Sequence, residues 1–272
     1  MIKDFARGVL PAWAWARLRG LRARHQRARY RPRRVRHIYG GAPLEILLAD
    51  PLAEGWYDAD WPEPPEFALL KRHRLGPGAR VFDLGAHQGV VALMLARIAG
   101  PEGFVLAVEA NRHNAEVARI NRDLNDCPTL HVLHAAVAEA PGTVTFNQGL
   151  NGQVDDGTGA WGRVEVPAVS IDDLARTHGP PDVLFLDVEG FECQALRGAR
   201  ETLARRPDCY IEVHVGVGLE ALGGSVREVL SFFPEAAYER FIASDAAPAF
   251  APLQPDSGAM RGRFFLVAMA RG

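Results

Sequence analysis

The chain has 272 residues, 48% of them hydrophobic and 24% charged, a composition typical of a globular protein with one sizeable α/β core and appendages. No apolar run approaches the ~20 residues that cross a membrane. Its three cysteines, Cys127, Cys193 and Cys209, are an odd number without metal-type spacing, which excludes a disulfide framework and predicts reduced thiols in a cytoplasmic protein.

The first 37 residues form a basic arm in front of an acidic body. The formal net charge is −2, but residues 1–37 contain twelve Lys or Arg and one acid, against 19 basic and 32 acidic residues in the rest. Residues 8–15 are too short an apolar stretch, and are interrupted by Pro11, to form a signal peptide. Residues 12–29 predict a basic helix with aromatic residues at one end.

Three roles for this arm stay open. It packs its apolar side chains on the body, it lies on an anionic membrane surface near a lipid-linked substrate, or it contacts nucleic-acid phosphates, which we favour least. The charge by itself supports only a general attraction to polyanions.

Residues 38–75 connect the arm to the main fold. Residues 44–48 predict a strand, three prolines at 62, 64 and 65 mark a rigid connection, and residues 66–75 predict a helix. Trp56 and Tyr57 are interpreted as packing residues rather than as a platform for a sugar. We place the domain boundary here, with an arm and substrate-side extension at 1–60 and the main domain at 61–272.

From residue 79 the pattern alternates strands and helices, which favours a mostly parallel sheet. Asn111 and Ser170 are the predicted N-caps of two helices. A hairpin pair at 143–146 and 164–169 flanks a loop at 147–162. The other predicted elements are strands at 81–83, 104–109, 130–137, 183–187, 210–214, 238–242 and 263–268, and helices at 90–97, 111–124, 191–204 and 226–233.

A glycine turn at the end of the first of these strands is the organising feature. Gly85 lets the chain bend and a ligand approach the backbone, and Gly89 lets the next helix pack closely on the strand. Glu109 follows about 20 residues later at the end of the second strand, where nucleotide-binding α/β folds hold ribose hydroxyls.

Asp83 decides between two classes of ligand for this turn. A pyrophosphate sits best on bare backbone N–H groups at a helix N-terminus, without an anion beside it. The Asp83 carboxylate would repel phosphate, but it suits the amino group or sulfonium of S-adenosylmethionine. His87, inside the turn, either donates a hydrogen bond to the cofactor or is an exposed turn residue.

A second acidic stretch follows the strand at 183–187. Asp187 and Glu189 lie at alternate positions and are predicted to face one pocket. Negative charge at a helix N-terminus explains one of the three acids comfortably, and Glu192 completes the group. We therefore predict a functional role for Asp187 and Glu189.

Glu212 and His214 lie two residues apart on a strand and share a face. They are interpreted either as a base or metal ligands at the strand end, or as a hydrogen-bonded core pair. Together with Asp187 and Glu189 they could hold Mg²⁺ through oxygen ligands. Because no spacing signature supports a metal, we predict none.

Three stretches resemble the FkbM family of class I S-adenosylmethionine-dependent methyltransferases. They are Asp-Leu-Gly-Ala-His-Gln-Gly at 83–89, Val-Glu-Ala-Asn at 108–111 and Asp-Val-Glu-Gly-Phe-Glu at 187–192. The resemblance extends over about residues 66–214, and the third stretch is its most specific part. It implies a Rossmann-like class I methyltransferase fold, with a mostly parallel seven-stranded sheet and helices on both faces, after a helical, basic N-terminal extension.

The resemblance also assigns the site residues. The implied cofactor contacts are Asp83, Gly85, Ala86, His87, Gly89, Glu109, Ala110, Asn111, Ala136 (beside the adenine) and Asp187. The predicted catalytic residues are His214, Glu189, Asp187 and Glu212. Family members usually carry Asn at position 87 and Lys at position 185, where this chain has His87 and Phe185.

We therefore expect an S-adenosylmethionine-dependent O-methyltransferase that acts on a hydroxyl of a sugar, glycan or secondary metabolite, with His214 or Glu189 as the base. The alternatives are an RNA methyltransferase that uses the basic arm, and a binding module with a vestigial cofactor pocket. We expect a small-molecule or glycan acceptor and a cytoplasmic protein that touches the inner face of the membrane through residues 1–37.

Overall fold

A computed structural model describes residues 29–147, 153–154, 163–254 and 258–272. A β-hairpin comes first, with β1 (Arg33–Tyr39) and β2 (Ala42–Leu48) paired antiparallel. Its turn consists of Gly40 and Gly41, both with positive φ (57° and 82°), as the tight hairpin turns require. The predicted strand at 44–48 is confirmed within β2, but residues 33–37 are a strand rather than the end of a basic arm. The predicted helix at 12–29 lies outside the described residues, apart from its last residue.

The remaining elements follow in the predicted alternation. They are α1 (Pro51–Tyr57), α2 (Pro65–Leu70), β3 (Arg80–Leu84), α3 (Val90–Ala99), β4 (Phe104–Glu109), α4 (Arg112–Leu124), β5 (Leu130–His134), β6 (Ala136–Val137), β7 (Gly142–Asn147), β8 (Gln153–Val154), β9 (Arg163–Val169), α5 (Ile171–His178), β10 (Val183–Leu186), α6 (Glu192–Arg197), α7 (Arg200–Ala204), β11 (Asp208–Val213), α8 (Val226–Ser231), β12 (Tyr238–Ser244), β13 (Ala247–Pro252), a 3₁₀ helix (Gly258–Arg261) and β14 (Phe264–Ala270). Asn111 and Ser170 are N-caps as predicted, accepting backbone N–H groups at the starts of α4 and α5.

The main sheet among the described residues has the order β13-β12-β14-β11-β10-β3-β4-β5. The five strands from β11 to β5 are parallel, and β14, β12 and β13 are antiparallel. The prediction of a mostly parallel, Rossmann-like sheet is confirmed, but the sheet has eight strands instead of seven. The additional strand, β13, contains Pro248 and Pro252, and proline is tolerated at a sheet edge because no partner needs its missing N–H group.

Two predicted continuous elements are interrupted. The strand predicted at 130–137 is β5 in the main sheet and β6 in a second sheet, of order β6-β9-β7-β8. The helix predicted at 191–204 is two helices, separated at Gly198 and Ala199, because Gly198 lies against the carbonyl oxygen of Ala138. The predicted hairpin pair is confirmed as β7 and β9, whereas most of the loop predicted at 147–162 lies outside the described residues.

Side chains on the central strands alternate between two apolar layers. In β10, Val183 and Phe185 belong to one buried cluster with α3 and the N-terminal hairpin, whereas Leu184 and Leu186 belong to a second cluster with α5, α6 and α8. Helices therefore cover both faces of the sheet. This burial leaves the carboxyl ends of β3, β4, β10 and β11 as the edge where polar side chains collect.

The N-terminal hairpin is part of the same core. Leu44, Ile46 and Leu48 are fully buried in the cluster that contains β3 and α3. The backbone N–H of Glu45 donates to the side-chain oxygen of Asn125, the C-cap of α4 (3.0 Å). The backbone N–H of Leu47 donates to the side-chain oxygen of Asn121 within α4 (2.8 Å). The hairpin therefore contributes to the same apolar cluster as the main sheet, and the boundary placed at residue 60 stays a prediction.

None of the described helices is long and apolar enough to span a lipid bilayer.

Candidate active site

The glycine turn after β3 brings two strand ends into contact. Gly85 has a φ of 95°, and its backbone donates to the Val108 carbonyl oxygen (2.8 Å). A Cβ at Gly85 would overlap the carbonyl group of Asp187, at the end of β10. Gly89 packs against Ala118 of α4, where a Cβ would stand 3.0 Å from the Ala118 side chain. Gly89 thus permits close packing on the neighbouring helix, not on the strand as the sequence suggested.

A cavity of about 650 Å³ opens at this edge of the sheet. Ten of the thirteen predicted site residues line it, and the other three, Gly89, Asn111 and His214, do not. The ten lining residues are Asp83, Gly85, Ala86, His87, Glu109, Ala110, Ala136, Asp187, Glu189 and Glu212.

Asp83 presents a buried carboxyl group to the cavity. It is 6% exposed, and its Oδ2 atom has no hydrogen-bond partner among the described residues. Burial raises the pKa of Asp83 to about 7, because the charged form loses its hydration. A cationic ligand at this position would supply the missing partner.

Glu109 supports the turn from the end of β4. Its Oε2 accepts the backbone N–H of His87 (2.8 Å), and its Oε1 accepts that of Asn111 (2.6 Å). Burial raises the pKa of Glu109 to about 7, although these two hydrogen bonds act in the opposite direction. Each carboxylate oxygen keeps a further lone pair for a ligand hydroxyl.

His87 holds a strained position inside the turn, with a φ of 48°. Its Nδ1 lies 3.0 Å from the Tyr57 hydroxyl, and its Nε2 is buried without a partner in the described part of the chain. Burial lowers the pKa of His87 to about 4, so the ring is neutral. It faces Trp56 at a ring-centroid distance of 5.0 Å.

Sequence reasoning missed α1 as a wall of this cavity. Trp56 and Tyr57 both line it, whereas we interpreted them as packing residues. The helix is held in place by Asp50, which is 1% exposed. Asp50 caps α1 through its Oδ1, while its Oδ2 accepts from Gln88 (2.8 Å) and faces His113 (3.3 Å).

We expect Asp50→Ala to lower the free energy of unfolding by about 2–4 kcal/mol. The substitution removes an N-cap that contributes about 1 kcal/mol. It also removes the acceptor of the buried Gln88 amide, which costs about 1–3 kcal/mol. Urea unfolding measures the loss. Ser225→Ala is the control, because Ser225 caps α8 from an exposed position with no second contact of this kind. Equal losses in both variants would show that the Asp50–Gln88 contact contributes nothing.

The acidic turn after β10 is built around Glu192. This carboxylate is fully buried, and its Oε1 accepts the Gly190 N–H (2.8 Å) and pairs with His214 Nδ1 (2.7 Å). Gly190 has a φ of 99° and lies so close to Gly218 that a Cβ would stand 2.6 Å from that backbone. Glu192 therefore anchors the turn, and Asp187 and Glu189 are left facing the cavity.

His214 is surrounded by carboxylates and is 3% exposed. Burial alone would lower its pKa, but the hydrogen bond that its Nδ1–H donates to Glu192 and the charges of Asp187 and Glu189 outweigh it and raise the pKa to about 9. In this arrangement the imidazole keeps its proton at neutral pH, and it does not line the cavity. Both facts disfavour the predicted role of His214 as a general base.

Aromatic side chains wall the other half of the cavity. Phe185, at the position where the FkbM pattern has Lys, packs against Tyr210 (5.1 Å between centroids), and Tyr210 stacks on Phe265 (6.3 Å). Arg263 also lines this half and donates to Glu212 (2.9 Å). Burial raises the pKa of Glu66, a further lining residue, to about 7.

Glu66, Arg263 and Phe265 were not predicted as site residues. They lie at the start of α2 and around the start of β14, far from any motif in the chain. Only the alignment of β14 beside β11, with Glu212 opposite Phe265, brings them to the cavity. No local sequence signal carries that information.

The chain is similar to known methyltransferases. A family model described as the methyltransferase FkbM domain matches residues 83–240. A protein of Thermoplasma volcanium, described as a probable cobalt-precorrin-6B C(15)-methyltransferase (decarboxylating), is 37% identical over 60 residues, which is 21% of this chain and 30% of that protein.

Two solved structures are similar to this chain at lower sequence identity. The FkbM methyltransferase of Methylobacillus flagellatus KT is 20% identical, with a TM-score of 0.46, over 70% of this chain and 43% of that one. Fibrillarin of Aeropyrum pernix, crystallised with natively bound S-adenosyl-L-methionine, is 14% identical, with a TM-score of 0.44, over 74% and 72%. The chain thus spans less than half the length of the Thermoplasma and Methylobacillus proteins. The family model covers more than half of this chain and contains the glycine turn, Glu109 and the acidic turn, and the protein belongs to the FkbM family of methyltransferases.

Proposed function

We propose that the protein is an S-adenosylmethionine-dependent methyltransferase that methylates a hydroxyl oxygen of a sugar, glycan or secondary metabolite. The observation that carries this proposal is one cavity with two different halves. One half has the buried Asp83 carboxyl beside the glycine turn, whose Oδ2 has no partner within the described ranges, and the other has aromatic walls and carboxylates. The family membership supports the same reaction class.

The residues of the first half fit the cofactor. Asp83 would face its positively charged amino group, and Gly85 leaves the backbone open where a side chain would intrude. Glu109 would accept the ribose hydroxyls. The adenine would lie against small and aromatic apolar side chains, namely Ala110, Ala136, Val137 and Phe146. When bound, the cofactor supplies an electrophilic methyl group on sulfur.

The second half supports an acceptor of sugar or metabolite size. Its aromatic walls match apolar ring faces, and its carboxylates match hydroxyl groups. Because His214 keeps its proton, we assign the role of base to Glu189, which lines the cavity at the acidic turn. Holding the hydroxyl in line with the methyl group is the larger contribution, because orientation supplies ~7–11 kcal/mol of such barriers.

Calorimetry with S-adenosylmethionine tests the proposal. We expect binding by the wild-type protein, and binding that is weaker by on the order of tenfold or more in Glu109→Ala, because hydrogen bonds to a charged group contribute about 1.5–3 kcal/mol. Glu102→Ala is the control, since Glu102 is exposed near the opposite end of β4. No heat at millimolar cofactor, with protein shown to be folded by circular dichroism, would contradict the proposed function.

We propose peripheral membrane contact only for residues 1–28. In the described part of the arm, Arg33 pairs with Glu54 and Asp58, and Arg34 with Glu45, so these charges are used within the protein. A screen of glycans, lipid-linked sugars and RNA with labelled cofactor identifies the acceptor. Methylation of RNA alone would overturn the assignment of a sugar or metabolite acceptor.

A further inference from the structure

Three side chains converge where β10 and β11 end side by side. The Nε2 atom of His214 lies 3.7 Å from Asp187 Oδ1 and 3.4 Å from Glu212 Oε1. The ligand atoms of these three residues all lie within 4.8 Å of one another. A third carboxylate, Glu189, approaches the same nitrogen to 3.4 Å.

The two distances from Nε2, 3.7 Å to Asp187 and 3.4 Å to Glu212, are close to the edges of a metal coordination sphere. Two ligand atoms that each lie about 2.1 Å from an ion, at a tetrahedral angle, are roughly 3.4 Å apart. The contacts at Nε2 are longer than the 2.7 Å pair at Nδ1, which has the length of a charge-assisted hydrogen bond. Nδ1 of His214 is therefore at hydrogen-bond distance from its carboxylate, whereas Nε2 is at a longer distance from each of the carboxylates around it.

The Nδ1 side has the arrangement that orients a metal-binding histidine. Nδ1 pairs with Glu192, which is fully buried and is itself held by the Gly190 N–H. Histidine ligands almost always donate their other N–H to a carboxylate or carbonyl, which fixes the ring and the tautomer. Glu192 thereby directs Nε2 toward Asp187 and Glu212.

An independent observation concerns Asp187. Its Oδ1 atom is inaccessible to solvent and has no hydrogen-bond partner in the part of the chain that the structure describes. Although 43% of the Asp187 side chain is exposed, this oxygen is withdrawn from water and unpaired in that part of the chain, which is unfavourable. The same atom is the one that faces His214 Nε2, so an ion between them would satisfy it.

We propose that Asp187, Glu212 and His214 bind one divalent transition-metal ion at the floor of the cavity. One imidazole and two carboxylates favour Mn²⁺, Fe²⁺ or Zn²⁺ over Mg²⁺, which prefers oxygen ligands alone. The ion would take the place of a proton at Nε2, beside the Arg263 guanidinium that donates to Oε1 of Glu212. The sequence predicted no metal, because positions 187, 212 and 214 form no motif and meet only through strand pairing.

The position of the ion gives it a use that rests on the proposed function. Asp187 and Glu212 line the cavity, so an acceptor hydroxyl can reach an ion that they hold. A bound divalent ion lowers the pKa of such a hydroxyl and orients it. That would assist methyl transfer to oxygen.

Electron paramagnetic resonance with Mn²⁺ tests the site on the full-length protein. We expect the signal of free Mn²⁺ to fall until one ion is bound per chain. Asp187→Asn and Glu212→Gln should each weaken this binding at least about tenfold, as loss of metal-site groups does elsewhere. Glu102→Gln is the control, because it removes an exposed carboxylate that does not line the cavity, and it should leave the affinity for Mn²⁺ unchanged.

Two results would overturn the proposal. One is the absence of Mn²⁺ binding at millimolar concentration in folded protein, and the other is unchanged affinity in both Asp187→Asn and Glu212→Gln. Calorimetry with S-adenosylhomocysteine separates this failure from that of the proposed function. A protein that binds the nucleoside but not Mn²⁺ lacks only the metal site, and one that binds Mn²⁺ but not the nucleoside lacks the cofactor site.

Discussion

Gly85→Ala is expected to lower the free energy of unfolding by about 3–5 kcal/mol, the upper range for single substitutions, and to abolish cofactor binding. The added Cβ would overlap the backbone carbonyl of Asp187. That carbonyl belongs to the chain leaving β10, which pairs directly with β3. Relief therefore requires two central strand ends to separate, not the rotation of a side chain.

Gly78→Ala is the matched control for this prediction. Gly78 has a similar positive φ (80°, against 95° for Gly85), but nothing lies within 4 Å of its Cβ position. It therefore reports the backbone strain alone, which is about 1–2 kcal/mol for a residue in the left-handed region. Urea unfolding of both variants separates the two effects. Equal losses would show that the contact between Gly85 and Asp187 is not tight in solution.

The parts of the site that the sequence predicted lie at the ends of buried strands. Asp83, Glu109 and Asp187 each follow a run of apolar residues that can only be a central strand, and parallel strands end at one edge. The glycines at 85 and 190 follow directly, so turn chemistry and strand pattern agree. These residues could be placed without knowing which strands are neighbours.

The N-terminal hairpin could have been predicted from its turn residues, but the arginines of its first strand favoured a different interpretation. Gly40 and Gly41 stand between two seven-residue strands, and a Gly-Gly pair between such runs predicts a tight hairpin. The arginines of β1 suggested a solvated basic arm instead. All three of them, Arg33, Arg34 and Arg36, are exposed, whereas Tyr39 is buried in the core.

The roles of His214 and Asp50 could not be obtained from the sequence. A histidine near a carboxylate can be a base, a metal ligand or a core cation, and the choice depends on how many carboxylates surround it. Here Glu192, 22 positions away, contacts the Nδ1 atom of His214. The carboxylates near its Nε2 atom, Asp187 and Glu212, come from the ends of two neighbouring strands. Asp50 contacts Gln88 over 38 positions, a distance at which local patterns give no guidance.

Asp83→Asn is expected to have opposite effects on folding and on cofactor binding. The folded pKa of Asp83 is about 7, above the ordinary value of about 3.9 for an unfolded chain. Below pH 4 the carboxyl is protonated in both states, so the wild-type protein pays no penalty. Between pH 4 and 7 the unfolded state ionises first, and stability falls as the pH rises. The variant lacks this loss, and we expect it to be more stable by up to about 2–4 kcal/mol at pH 8.

Urea unfolding at pH 4.5 and pH 8 checks this part of the prediction. The difference between variant and wild type should be small at the lower pH and large at the higher one. Asp123→Asn is the control, because Asp123 has a 67% exposed side chain and should show little pH-dependent difference. A loss of stability in Asp83→Asn that is the same at both pH values would mean that the Asp83 carboxyl is not held neutral by burial.

Cofactor binding should respond to the same ionisation with the opposite sign. A positively charged ligand favours the ionised carboxyl, so wild-type affinity for S-adenosylmethionine should rise by on the order of tenfold between pH 5.5 and pH 7. Over this range the ligand's α-amino group, with a pKa of about 7.7–8.0, stays mostly charged. In Asp83→Asn the affinity for S-adenosylmethionine should be lower by on the order of a hundredfold, because a hydrogen bond to a charged group is lost. Any pH dependence of binding that remains in this variant comes from the ionisation of Glu109. A buried acid that lowers the stability of the ligand-free protein and raises the affinity for the cofactor is typical of a binding residue. A core residue would instead contribute in the same direction to stability and to affinity.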